Sequence, residues 1–245
     1  PGQPWGAPEK AAWRARQVRQ RSYADDVLGR IDALRPHHDV QAYGEIDWGV
    51  DGRFPVYAIR SRAWDDSLPC ALVTGGVHGY ETSGVHGALD FVQGHLASYD
   101  GRINVLVAPC ISPWAYERIQ RWNPLALDPN RNFIAASPCA ESAALMRLVE
   151  PLAGRFIVHI DLHETTDTDE SEFRPAKSAR DGQPFEPDTI PDGFYLCGDS
   201  ADPQAEFQQA VIAAVAKVTH IAPPDAKNEI IGSPVVAHGV INYPY

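Results

Sequence analysis

Three short apolar runs, residues 70–74, 103–111 and 156–162, constrain this chain more than any other feature. Each reads as a β-strand, the first two as buried ones. The stretches 82–96, 141–152 and 203–218 carry helical spacing instead, with Phe207, Val211, Ile212 and Val215 marking the last. Ahead of them, 40–48 and 54–61 flank Val50-Asp51-Gly52, a strong hairpin signal. A hairpin followed by strands alternating with helices predicts an α/β fold: three layers, α/β/α, around a mixed, largely parallel central sheet. Residues 8–34 predict one or two surface helices sharing a face of Ala11, Trp13, Val18, Tyr23, Val27 and Ile31. Residues 112–136 read as loop-rich, 165–192 as a long acidic excursion over the surface, and 193–197 and 240–243 as further strands. No repeat or composition shift divides the chain, so a single domain, 1–245, is expected.

Such a sheet needs apolar material to bury it. Hydrophobic residues make up 44% of the 245 and charged residues 22%, enough for a sizeable core and unlike a disordered or coiled-coil chain. No apolar run approaches the ~18–20 residues that span a bilayer. Lys+Arg 21 against Asp+Glu 32 gives a net charge of −11. A chain this acidic has no diffuse attraction for phosphate backbones or anionic lipid, so neither nucleic acid nor membrane is an expected partner. Cys70, Cys110, Cys139 and Cys197 form no CxxC pair and read as buried small hydrophobes, not as a thiolate metal site. No apolar signal-peptide core follows Pro1-Gly2-Gln3-Pro4, which makes a cytoplasmic protein the expectation. A start at proline also suggests a trimmed N-terminus.

The chemistry concentrates where strands end. Gly75-Gly76-Val77-His78-Gly79-Tyr80-Glu81 lies between a buried strand and a helix, where open α/β sheets place their ligand sites. His78 and Glu81 are three residues apart, so one turn can aim an imidazole and a carboxylate at one point. Zn²⁺ takes nitrogen and oxygen ligands, and a catalytic site needs three of them plus an open position. HxxE alone is weak in a chain with nine histidines. The run from Val158 to His163 alternates apolar and polar, which puts His159, Asp161 and His163 on one strand face. His163 falls at the strand's C-terminal end and reads as the third ligand; His159, in mid-strand, reads as a satisfied core or helix-facing histidine. The segment from Arg121 to Phe133 brings together Arg121, Asn123, Asn130, Arg131 and Asn132. Clustered Arg and Asn can clamp a carboxylate. The same residues also suit a solvated loop whose Asn and Asp serve turns.

His78-x-x-Glu81, then Arg121-x-Asn123, Asp128-x-Asn130-Arg131-Asn132-Phe133, and Asp161-Leu162-His163, taken together, resemble the zinc carboxypeptidase family of the carboxypeptidase A type. The nearest flavour is the bacterial murein-peptide-amidase-like branch; succinylglutamate desuccinylase and aspartoacylase are more distant relatives. The motifs span residues 75–165 in the family's order. The resemblance implies a zinc carboxypeptidase-like fold and one Zn²⁺ per chain held by His78, Glu81 and His163. It implies that Asp128 accepts from the His78 imidazole, that Arg121 stabilises the oxyanion, and that Asn130 and Arg131 hold the substrate's terminal carboxylate. The expected activity is zinc-dependent hydrolysis of an amide next to a free carboxylate, on a peptide or an acyl amino acid. An N-acyl amino acid deacylase is the enzymatic alternative, and a zinc-binding pseudoenzyme that recognises C-terminal carboxylates is the non-catalytic one. The family's general base is a glutamate on a later strand, followed by a closing helix. Residues 230–245 contain no Asp or Glu, and Glu229 follows a polar turn and reads as an exposed loop residue. Glu164, beside His163, would point to the opposite face. The chain is therefore expected to lack its natural C-terminal strand and helix, with the base beyond Tyr245.

Overall fold

The N-terminal helix α1 (Ala7–Ala15) starts where Pro8 costs no hydrogen bond, and Glu9 Oε2 accepts from Gly6 N at 2.8 Å to cap it. Its one buried side chain, Trp13, packs against Trp114 and Trp122. A wide helical turn at Ala24–Leu28 runs into α2 (Gly29–Leu34), and Tyr23, Val27, Ile31 and Leu34 are buried along it. Val18, expected on the same face, is 66% exposed, because the chain between the helices is not helical. The structure is a computed structural model that describes residues 2–243. Its chain falls into two compact units, Gly6–Glu164 and the described parts of Pro1–Trp5 with Thr165–Tyr245.

The first unit is built on a five-stranded mixed sheet. The hairpin forms as expected: β1 (Asp39–Asp47) and β2 (Arg53–Arg60) pair antiparallel around a turn at Gly49–Asp51, closed by Gly52 at φ +114°. Next come β3 (Cys70–Gly75), α3 (Thr82–Gly94), β4 (Asn104–Ala108), α4 (Pro113–Arg118), α5 (Ala140–Val149) and β5 (Phe156–Leu162). The strand order is β1-β2-β4-β3-β5, with β3 parallel to both β4 and β5. From β3 the chain crosses through α3 to β4, then back through α5 to β5 on the other side of β3. Right-handed crossovers that run in opposite directions put their helices on opposite faces, which makes the three layers. On one face Leu72, Leu106 and Ala58 pack against Leu148 and Val149. Every residue of β3 and β4 is buried. As the sheet's edge strand, β5 leaves Ile157 exposed. The stretch 112–136 is less loop-like than its composition suggests, since α4 is buried throughout.

The second unit holds a separate sheet. Where the sequence suggests a surface excursion, a turn at Asp169–Phe173 continues into α6 (Arg174–Asp181), ended by Gly182 at φ +67°. Phe173 anchors it and is buried. Then follow β6 (Leu196–Asp199), α7 (Ala205–Val215), β7 (Glu229–Ile230), β8 (Ser233–Ala237) and β9 (Val240–Tyr243), in a sheet of order β6-β9-β8-β7. Ala222, Ile230 and Ile241 form its core. The helix predicted at 203–218 and the strand at 240–243 are present; Phe207, expected in the apolar stripe, is 48% exposed. Of the four cysteines, Cys70, Cys110 and Cys139 are buried as expected, and Cys197 is exposed on a strand. No helix among the described residues is long and apolar enough to cross a membrane.

Candidate metal centre

The loop after β3 turns sharply, with Gly76 at φ +62°, and closes on Glu81 N donating to His78 O at 3.2 Å. Gly79 has no alternative side chain: a Cβ there would sit 2.0 Å from the backbone nitrogen of Tyr116 in α4. Arg21 clamps this turn from behind. It donates to Gly79 O (2.7 Å), Thr82 Oγ1 (2.6 Å) and Tyr116 O (2.6 Å), with its guanidinium 3.7 Å from the Tyr116 ring centroid. The turn thereby presents His78 and Glu81 to one point, both 1% exposed.

His163, one residue past β5, completes the group. His78 Nδ1 lies 2.7 Å from Glu81 Oε1, and His163 Nδ1 lies 2.9 Å from Glu81 Oε2. One ligating atom from each of the three residues falls within 4.8 Å of the others. Burial opposes ionisation of Glu81, but the adjacent imidazoles outweigh it and lower its pKa to about 2. Glu81 Oε2 is buried without a hydrogen bond of good geometry. An ionised carboxylate with an orphaned oxygen, facing two imidazole nitrogens, is a donor set that fits Zn²⁺ or a similar divalent ion.

Each histidine is backed by a carboxylate on its other nitrogen. His78 Nε2 donates to Asp128 Oδ1 at 3.0 Å, and His163 Nε2 to Asp161 Oδ2 at 2.7 Å. That wiring leaves both Nδ1 atoms pointing at Glu81. Asp128 is buried, yet the hydrogen bond from His78 and the charges of His78, Arg121 and Arg131 hold its carboxyl well below the usual range. Burial opposes a charge on His163, but Glu81 and Asp161 raise its pKa well above the usual histidine value. Sequence reasoning puts Asp161 on the right face and gives it no task. The signal is there to be read: on a strand, the residue two before a ligand is its neighbour on the same side.

The loop after α4 supplies the remaining residues. Arg121 Nε donates to Asp128 Oδ2 (3.1 Å) and Nη1 to Tyr80 OH (3.4 Å), so this guanidinium is tied to the carboxylate behind His78. Just before it, Ile119 closes α4 at φ +54°, a conformation that strains a β-branched residue. Asp128 also accepts from Asn130 N at 3.0 Å, opening the short turn Pro129–Arg131 on which Arg131 is exposed. Asn123 serves the fold: its Oδ1 accepts from Leu125 N and Leu127 N, and its Nδ2 donates to the buried Glu141. Asn132 Nδ2 likewise donates to Asp128 O at 2.7 Å. Turn chemistry thus accounts for Asn123 and Asn132.

Three other expectations meet the structure here. His159 is not among the grouped ligands, and it is exposed on the edge strand instead of packed in a core. Glu164 caps α3 by accepting from Ser83 N (3.0 Å) and Ser83 Oγ (2.9 Å). Glu229 belongs to the second unit, where it is half-buried and opens β7, so it is a strand residue and not an exposed loop residue.

Two histidines and a glutamate thus converge at the C-terminal ends of parallel strands, where the crossovers diverge and open α/β sheets place their ligand sites. No protein-family model and no curated protein matches the sequence. Solved structures match the fold. A candidate metallopeptidase from Shewanella amazonensis SB2B is similar over 94% of this chain and 82% of its own, at 22% identity and TM-score 0.66. Another, from Shewanella denitrificans OS217, is similar over 91% of this chain and 74% of its own, at 19% identity and TM-score 0.64. A candidate carboxypeptidase A from Shewanella denitrificans OS-217 is similar over 90% of this chain and 59% of its own, at 16% identity and TM-score 0.54. At these identities the likeness establishes a shared fold, the zinc carboxypeptidase-like one that the motifs imply.

Proposed function

We propose that this protein is a zinc-dependent hydrolase that cleaves an amide bond next to a free carboxylate, in the manner of a carboxypeptidase. The observation that carries the reading is the convergence of His78, Glu81 and His163 with a carboxylate behind each imidazole. A bound zinc ion supplies a Lewis acid that polarises the scissile carbonyl and acidifies water at neutral pH. Arg121, held by Asp128, aims a fixed positive charge where negative charge develops on the carbonyl oxygen. Asn130 and Arg131, carried on one turn, offer an amide and a guanidinium to the substrate's terminal carboxylate. Asp128 joins the parts: one carboxylate fixes a ligand's tautomer, the charge that meets the oxyanion and the start of the clamp turn.

The test is hydrolysis of matched substrates by zinc-loaded protein. Peptides and N-acyl amino acids with a free terminal carboxylate should be cleaved, and their amidated analogues far more slowly. The His163→Ala protein should hold no zinc by elemental analysis and cleave neither. Zinc retained in His163→Ala would move the centre elsewhere. Zinc bound without turnover of any substrate would favour a binding protein, and turnover of N-acyl amino acids alone would favour a deacylase.

A further inference from the structure

We infer that Thr74 is a positioning residue for the metal ligand His163, acting through Asp161, and that His159 completes the chain by donating to the Thr74 hydroxyl. The inference rests on the proposed metal centre and extends it to residues that hold none of the ligands.

Thr74 is the penultimate residue of β3 and is fully buried, an unusual place for a hydroxyl unless it is used. The parallel register sets Thr74 opposite Asp161 and Leu72 opposite His159. Asp161 and His159 are two residues apart on one face of β5, so both side chains reach Thr74. Thr74 Oγ1 lies 2.6 Å from Asp161 Oδ1 and 2.8 Å from His159 Nε2. The carboxylate can only accept, so the single hydroxyl proton goes to Asp161. The hydroxyl oxygen must then accept from His159, which fixes the His159 proton on Nε2. With Oδ1 held by Thr74, the other oxygen, Oδ2, is turned towards His163 Nε2 at 2.7 Å. His163 must donate there, and its Nδ1 lone pair is left for the metal. One direction of donation runs from His159 through Thr74 to Asp161, and His163 donates into the same carboxylate.

Without Thr74, Asp161 keeps its charge but loses the bond that fixes its rotamer. His163 then has two tautomers and two ring orientations to choose from, of which one binds metal well. Removing a partner of this kind weakens metal affinity by about 10–100-fold. A role in packing alone would leave affinity untouched at equal stability.

The experiment compares the full chain with its Thr74→Val and Thr74→Ser variants. Zinc affinity is read by competition with a chromophoric chelator, the cobalt(II) form by its visible spectrum, and the His163 tautomer by long-range ¹⁵N–¹H spectra of metal-free protein at a pH where the ring is neutral. Thr74→Val should bind zinc about 10–100-fold more weakly, alter the cobalt spectrum and mix the His163 tautomers, while Thr74→Ser stays near wild type. Equal affinity and a single tautomer in Thr74→Val would overturn the inference. If Thr74→Val does not fold, Thr74→Ala, which removes the hydroxyl without adding bulk, is read in the same way. Wild-type protein that binds no zinc would overturn the proposed function, and the tautomer spectra would still decide whether Thr74 orients His163.

Discussion

His78 and His163 arrive from different strands yet share one wiring, Nδ1 towards Glu81 and Nε2 on a carboxylate. The two carboxylates differ in what else they hold, and so should their variants. Asp128→Asn should weaken zinc binding about 10–100-fold. It should also lower turnover beyond that loss once zinc is saturating, because Arg121 Nε loses its anchor. Equal turnover at saturating zinc would mean that Arg121 is held by other contacts. Arg131 makes a second residue-scale prediction. Arg131→Ala should cost on the order of 1.5–3 kcal/mol, roughly 10- to 150-fold, in binding ligands with a free α-carboxylate, and little with amidated ones. Equal losses would make Arg131 structural. His78, Glu81 and His163 are legible in the sequence because spacing and strand parity are local rules. Arg21 is not legible, since its partners Gly79, Thr82 and Tyr116 lie far along the chain and only the packing of α4 behind the turn brings them together.

The glycines and caps that shape the elements behave oppositely by position, although one letter in the sequence represents them all. Gly79 faces α4 with no room for a methyl group, while at Gly87, inside α3, a Cβ would meet nothing within 4 Å. Gly87→Ala should therefore stabilise the protein by about 0.5–1 kcal/mol in denaturant unfolding, since it removes a helix-interior glycine. Gly79→Ala should be strongly destabilised and should lose zinc binding, because the turn cannot close. A zinc affinity unchanged in Gly79→Ala would mean that the turn adapts. In the first turn of α5, Glu141 is 1% exposed and accepts from Asn123 Nδ2 (3.1 Å) and Cys139 Sγ (3.0 Å). Burial raises its pKa above the usual carboxylate range, and burial also pushes the Cys139 thiol up to about 12, where it remains a donor. The folded state thus binds this proton more tightly than the unfolded chain. Its contribution to stability is full below the unfolded value and is lost as pH rises through the folded one. Glu141→Gln should melt above wild type at pH 8, with the advantage shrinking towards pH 4.5. A constant difference across that range would assign the effect to packing.

At the scale of the whole molecule, periodicity is enough to anticipate a mixed sheet built on a hairpin and parallel strands, with the candidate site at the strands' C-terminal ends, but not that the later strands form a second sheet. It is not enough for α6, whose residues Arg174-Pro-Ala-Lys-Ser-Ala-Arg-Asp181 carry no apolar stripe; the buried Phe173 lies in the turn ahead of them and Gly182 closes the helix. Nor does composition change where the unit Gly6–Glu164 ends, one residue past His163. Every proposed ligand lies inside that unit, and this makes a thermodynamic prediction. A metal that binds the folded site and not the unfolded chain stabilises by about 2.7 kcal/mol at a hundredfold excess over its Kd. For a domain of this size that corresponds to a rise in Tm of about 5–11 °C. The rise should scale with the logarithm of zinc concentration and vanish in His163→Ala. Hydrogen exchange should slow on zinc addition at the backbone of residues 76–82 and 160–164, the two strand ends that the ion would tie together. A rise in Tm that survives in His163→Ala, or slowed exchange confined to residues 165–243, would place the stabilising ion outside this centre. The carboxypeptidase-like reading would then lose its metal, because neither Arg121 nor Arg131 can acidify a water molecule at neutral pH.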